Sequence, residues 1–436
     1  MIAVADVSSA PWQPAMMWSI FCLTYLGIAL GGFPYLVLDR TGIALLGAIA
    51  MLLVRGLTIQ QAAAHVDYET ILLLFGLMIF SAQLRVAGFY ALTGRFLTRL
   101  TDRPRLLLAG LIATSAVLSA LLANDIVCLA FTPLLCTALI ATRRNPIPYL
   151  LALATSSNLG SAATIIGNPQ NMYIGTVAHL PFGHFTLTML APVIISLGLC
   201  WLGIVWLFGK QLDTAPSAAP KHAMREGDTL APSSLPLQTS AADPDTYLIT
   251  KTLIILCALI VCFLTVHGEW RAICTLGGAA LLLCSRRAKA ARLYQLVDWN
   301  LILLFLGLFV VNGAMNERGL TQGAFDHIAS SGIDLQKPIT LSLVTVILSN
   351  LVSNVPAVIL LRPTLPLDNH QAWYLLALVS TWAGNLTLVG SIANLIVAES
   401  ASAFGVRLDL KTYCRLGIPL TLLTTAIGTL WLILVM

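Results

Sequence analysis

Asn124 and Asp125 stand side by side in "LLANDIVCLAFTP" (residues 121–133), with apolar residues on both flanks. A carboxylate in such a run can bind a cation, carry a proton or pair with a base. "SNLVSNVPAVILLRP" (349–363) repeats Ser119, Asn124 and Pro133 as Ser349, Asn354 and Pro363, but has Val355 in place of the acid. Two further stretches, "SSNLGSAATIIGNPQN" (156–171) and "WAGNLTLVGSIAN" (382–394), crowd Gly, Asn, Ser and Thr into apolar sequence. Thr164, Gly167 and Asn171 in the first match Thr387, Gly390 and Asn394 in the second. Amides and hydroxyls supply neutral donors and acceptors for a small solute. The candidate solute-binding set is Asn124, Asn158, Thr164, Gly167, Asn168, Asn171, Asn354, Asn385, Thr387, Gly390, Ser391 and Asn394. Asp125 is the candidate for a coupling ion, against the bland reading of a hairpin-tip acid that stays wet.

The elements that position these residues follow from composition. Of 436 residues, 58% are hydrophobic and 10% charged, whereas soluble domains carry roughly 25% charged residues. Apolar runs recur at 16–38, 41–54, 70–84, 105–123, 146–166, 186–208, 248–266, 271–284, 300–315, 338–351, 371–397 and 416–436. A membrane span takes about 20 such residues, fewer when broken or re-entrant. The class is an all-α polytopic membrane protein, without the alternation of a β-barrel. The net charge of +5 then reflects topology, and no nucleic-acid partner is expected. The first ten residues hold no Lys or Arg, so the first apolar run is expected to remain as a span. The nine cysteines are scattered without a CxxC pair and the seven histidines without HxxxH spacing; no disulfide, metal or cofactor is expected.

Residues 209–246 are rich in Pro, Ala, Ser and charge, which suits a connector and not a core. The division is a first transmembrane repeat over 1–208, a cytoplasmic linker over 209–246 and a second repeat over 247–436. The halves share ordered features. Val66-Asp67-Tyr68 precedes Gly76 as Val297-Asp298-Trp299 precedes Gly307, and Gly47 and Gly88 reappear as Gly278 and Gly319. Asp67 and Asp298 read as helix caps, and Glu399 as a solvated acid.

About five spans plus a re-entrant hairpin in each half, with the N-terminus outside, place 18 of the 24 Lys and Arg residues in the cytoplasm. Arg40, Arg103, Arg143, Arg144, Arg286 and Arg287 are among them. Arg55, Arg271, Arg318, Lys337 and Arg362 fall outside. Short cytoplasmic loops collect such residues. An odd number of spans per half makes the repeats inverted, with both termini external. Inverted-repeat transporters bind solute near the midplane at broken helices. Unwound backbone is tolerated there only where it is buried in protein or lines a cavity. An intramembrane acid costs on the order of 3 kcal/mol and is a functional residue by default.

The two Asn hairpins and the two broken segments resemble those of the ion transporter superfamily, which includes arsenite permeases and divalent-anion symporters. "LLANDIVCLAFTP" is similar to the arsenite permease hairpin, with Ala-Asn-Asp followed by Thr-Pro, and "SNLVSNVPAVILL" to its partner. The Ser-Asn-Thr hairpin signature of the symporters is missing. The resemblance implies a homodimer with a scaffold part and a mobile part that moves as an elevator. It also implies a soluble ATPase as a candidate partner. The expected activity is secondary transport of a small inorganic anion or neutral oxyacid across the inner (plasma) membrane, as arsenite or antimonite efflux coupled to protons. The alternatives are sodium-coupled uptake of sulfate or dicarboxylate, and sodium/proton antiport. No HExxH, GxSxG or P-loop occurs, so an enzyme is not expected.

Overall fold

The computed structural model describes residues 11–32, 38–54, 57–213, 243–330, 332 and 334–436. Among them the chain is helical and contains no strand. The first half comprises α1 (Gln13–Leu30), α2 (Arg40–Leu53), α3 (Ile59–Ala64), α4 (Tyr68–Val86), α5 (Phe89–Thr98), α6 (Pro104–Leu121), α7 (Asn124–Ala141), α8 (Ile147–Ser161), α9 (Pro169–Val177) and α10 (Phe182–Asp213). The second comprises α11 (Thr246–Thr265), α12 (Trp270–Leu283), α13 (Ala290–Tyr294), α14 (Trp299–Glu317), α15 (Leu320–Ser330), α16 (Pro338–Val352), α17 (Asn354–Leu361), α18 (His370–Ala383), α19 (Ile392–Ser402) and α20 (Leu410–Val435). The same order of long, short and broken helices runs through both halves. α10 extends into the stretch expected as linker, and most of that linker, 214–242, lies outside the described residues.

Among the described residues eight helices are long and apolar enough to cross a membrane: α1, α4, α6, α7, α10, α11, α14 and α20. α2 and α12 have 14 residues each. That length rises about 21 Å, short of the roughly 30 Å hydrocarbon core, although both runs read as spans in the sequence.

Local chemistry sets the helix starts in matching places. Asp67 accepts the Thr70 N–H and Asp298 the Leu301 N–H, both at 3.0 Å, so both aspartates cap as expected. Pro104 and Pro338 open α6 and α16, where a missing N–H costs nothing. Gly88 and Gly319 take left-handed backbone, φ 80° and 66°, and turn the chain between α4 and α5 and between α14 and α15.

The halves interlock. α2 packs along α14 and α12 along α4. The repeated glycines mark these crossings. A Cβ on Gly76 would lie 2.5 Å from Thr275 Cγ2, and one on Gly307 2.7 Å from the Ala44 carbonyl carbon. A second set of contacts joins α6, α8 and α10 to one another, α10 and α18 to α20, and α16 to α18. One continuous apolar core runs through both groups.

Candidate functional site

Four interruptions of helix meet inside the second group. α6 and α7 form a hairpin broken at Leu122 and Ala123, and α16 and α17 one broken at Ser353, whose φ is 76°. Between α8 and α9 the chain crosses over at 162–168, and between α18 and α19 at 384–391. These breaks fall within the four polar stretches singled out in the sequence.

The two crossovers are built alike. Asn171 donates Nδ2 to the Thr164 carbonyl and Asn394 donates Nδ2 to the Thr387 carbonyl, both at 3.2 Å. Each asparagine therefore pins the loop that precedes its own helix. Gly167 and Gly390 leave the room this needs. A Cβ on Gly167 would meet the Ser161 and Ser119 carbonyls, and one on Gly390 would lie 2.7 Å from Asn350 Oδ1. Each threonine hydroxyl then ties its crossover to the first helix of its own hairpin: Thr164 to the Ala120 carbonyl, and Thr387 to Asn350 Oδ1 at 3.3 Å.

Asn158, on α8, draws the halves together. Its Nδ2 donates to Asn385 Oδ1 at 2.9 Å and to Asn394 Oδ1 at 3.1 Å. Its Oδ1 accepts from Asn124 Nδ2 at 3.1 Å and from Ser391 Oγ at 3.2 Å. Asn168 caps α9 by accepting the Asn171 N–H at 2.9 Å, and donates to Thr381 Oγ1 at 3.1 Å. Asn354 lies against Gly384, its Nδ2 3.1 Å from where a Cβ would stand. The twelve expected residues thus fall on the two hairpin tips, on the two crossovers and on the helix turns that flank them, and the asparagines among them are buried or nearly so.

Three acceptor groups at the hairpin tips are left open. Asn354 Oδ1 is buried and unpartnered. Among the described residues, no protein donor reaches Asn124 Oδ1 or the half-buried Asp125 carboxylate. Asp298 lies within electrostatic range of Asp125. Glu399 is exposed, as expected. Among the described residues no group of three His, Cys, Asp or Glu could hold a metal.

Thr381, Gln170 and Asn350 were not singled out in the sequence. Thr381 accepts from Asn168 and from Gln170 Nε2 and donates to Asn171 Oδ1. Its position four residues before Asn385, on one helix face, was the available signal. A cavity of about 220 Å³ lies beside α9, walled by His65, Asp67, Tyr173, Asn312, Asn316 and Arg362. Burial raises the Asp67 carboxyl above its ordinary 3.8, against the Thr70 N–H and the charges of Arg362 and His179.

The chain is similar in sequence to the silicon efflux transporter LSI3 of Oryza sativa subsp. japonica, 32% identical over 91% of this chain and 92% of that protein. It is also similar to the putative transporter arsB of Dictyostelium discoideum, 25% identical over 90% and 87%. The crystal structure of the Alcanivorax borkumensis YdaH transporter shares the fold, with a TM-score of 0.55 at 14% identity, covering 98% of this chain and 99% of that one. Residues 25–383 match the family described as citrate transporter, CitMHS. A multi-pass helical chain with paired broken hairpins, matched to that family over most of its length, belongs to the CitMHS citrate transporter family.

Proposed function

We propose that this chain is a secondary active transporter of a small oxyacid or inorganic anion, which it exports by exchange with protons. The carrying observation is that Asn158 joins the first hairpin tip to the second crossover, with Asn354 of the second tip against Gly384 of that crossover, and that Asn124 Oδ1, Asn354 Oδ1 and the Asp125 carboxylate are left without protein donors. Solute binds at these tips. Arsenous and silicic acids bring hydroxyl donors to open oxygens and do not repel a carboxylate. The silicon efflux for which LSI3 is named is of the same chemistry. Asp125 carries the proton, and Val355 leaves the second tip without one.

The halves are inverted repeats, and the linker and the Arg-rich loops face the cytoplasm. The group of α6–α10 and α16–α20 moves against the scaffold of α1, α2, α4, α11, α12 and α14 as an elevator in a homodimer. The 220 Å³ cavity at Asp67 and Arg362 is the solvent approach on one face. A second reading is sodium-coupled anion uptake, because open carbonyl oxygens also suit a dehydrated Na⁺. Flux into proteoliposomes separates the two. Arsenous acid, silicic acid, citrate and sulfate are offered under imposed proton or sodium gradients. Proton-driven arsenous or silicic acid flux is expected; citrate or sulfate flux that requires sodium would replace this reading with the second.

A further inference from the structure

A backbone carbonyl accepts hydrogen bonds and cannot donate them. An amide bonded to one therefore has its orientation decided. Asn394 gives Nδ2 to the Gly384 and Thr387 carbonyls at 2.7 and 3.2 Å. Asn385 gives Nδ2 to the Thr155 carbonyl at 3.2 Å. Both must turn Oδ1 toward Asn158. Facing two oxygens, Asn158 must offer them its Nδ2, and its own Oδ1 is left for Asn124 Nδ2 and Ser391 Oγ. Asn158 has then used both protons and both lone pairs, and nothing of it remains for a solute. Asn124 is obliged in turn to spend Nδ2 inward and to present Oδ1. The polarity of the first hairpin tip is thus fixed by main-chain carbonyls two amides away.

We infer that Asn158 is a positioning residue that fixes the Asn124 amide with its Oδ1, beside Asp125, toward the solute, so that the first hairpin tip favours an undissociated oxyacid over its ionised form. The inference rests on the oxyacid reading above. A hydroxylated solute donates to Asn124 Oδ1, which no protein donor reaches. An ionised oxyanion sets its lone pairs against that oxygen and against Asp125, and leaves a buried acceptor unmet. The specificity resides in which end of Asn124 faces the solute, and Asn158 decides that end.

The test is flux in proteoliposomes with arsenous acid as the undissociated solute and arsenate as the ionised competitor. KM, Vmax and the arsenate inhibition constant are read for wild type, Asn158→Leu and Asn124→Ser. Asn158→Leu removes the acceptor for Asn124 Nδ2 and frees that amide to rotate. The expected result is a KM for arsenous acid about ten-fold higher, the scale of one lost buried hydrogen bond. Arsenate should become an effective competitor, with Vmax per folded protein within about three-fold of wild type. A variant that loses Vmax while keeping the wild-type preference between the solutes has lost packing only, and overturns the inference. Asn124→Ser leaves α8 intact and puts a freely rotating hydroxyl at the tip. It should lose the same preference even where Asn158→Leu folds poorly, and an unchanged preference there overturns the inference as well. Wild type that prefers arsenate would overturn the oxyacid reading and this inference together. Wild type that prefers arsenous acid, with both variants unchanged, removes the relay alone. Affinity for arsenous acid that requires Na⁺ would assign the open oxygens to the ion and also overturn the inference.

Discussion

Asn158 and Thr381 occupy the same position in the two halves, six residues before Thr164 and Thr387, and each binds the crossover of the other half. Asn158 holds Asn385, Ser391 and Asn394; Thr381 holds Asn168, Gln170 and Asn171. The two crossovers are therefore fastened to each other by a reciprocal exchange. Movement of one carries the other with it.

Loss of either crossover staple should destabilise the protein. Asn171 and Asn394 are fully buried, and replacing either with Ala leaves buried carbonyls unmet. The expected cost is about 1–3 kcal/mol for each, larger for Asn394, which serves two carbonyls and Asn158. Thermal melting of detergent-solubilised protein measures it. A melting temperature unchanged in Asn394→Ala would remove the staple from the account.

Asp125→Asn keeps the shape of the side chain and removes its titration. Proton-driven flux should fall by at least about ten-fold if this intramembrane acid carries the coupling as proposed. Solute binding without a gradient should stay within about three-fold. Full proton-driven flux in the variant would return Asp125 to the status of a wet hairpin acid.

Asp67 gives a pH dependence whose sign follows from its burial. Its carboxyl lies above the ordinary 3.8 in the folded chain, so the fold favours the protonated form. Its contribution is most favourable below 3.8 and is lost as pH rises through the folded value. Asn caps a helix as well as Asp does. Asp67→Asn should therefore melt at or above wild type at pH 7 and match it near about pH 4. A variant several degrees less stable at pH 7 would show instead that the charge is held by Arg362.

The inverted arrangement predicts that Arg103 and Arg287 lie on one face of the membrane. Single cysteines at these positions, in a background without the nine native ones, should react with an impermeant thiol reagent from the cytoplasmic side only. Labelling from opposite sides would rule out the topology.

Much of this protein is legible along the chain because its causes are local. Apolar runs specify helices, and Asp67 and Asp298 cap through a side chain three residues from its target. Glycine and Pro169 weaken helix where the crossovers form. The ordered match of Asn124 with Asn354, and of Thr164 with Thr387, exposes the repeat without any contact being known. The shortness of α2 and α12 is legible too, since the apolar runs 41–54 and 271–284 end within a residue of the helices. The use of each amide is not legible at all. Asn158, Asn171 and Asn354 are chemically the same residue in the sequence, each with two donors and an acceptor oxygen. Tertiary structure makes Asn171 a staple, saturates Asn158 and leaves Asn354 Oδ1 open. An amide's orientation is decided by whether a carbonyl or a hydroxyl lies opposite it, and for Asn158 and Asn168 those partners come from segments more than two hundred residues away.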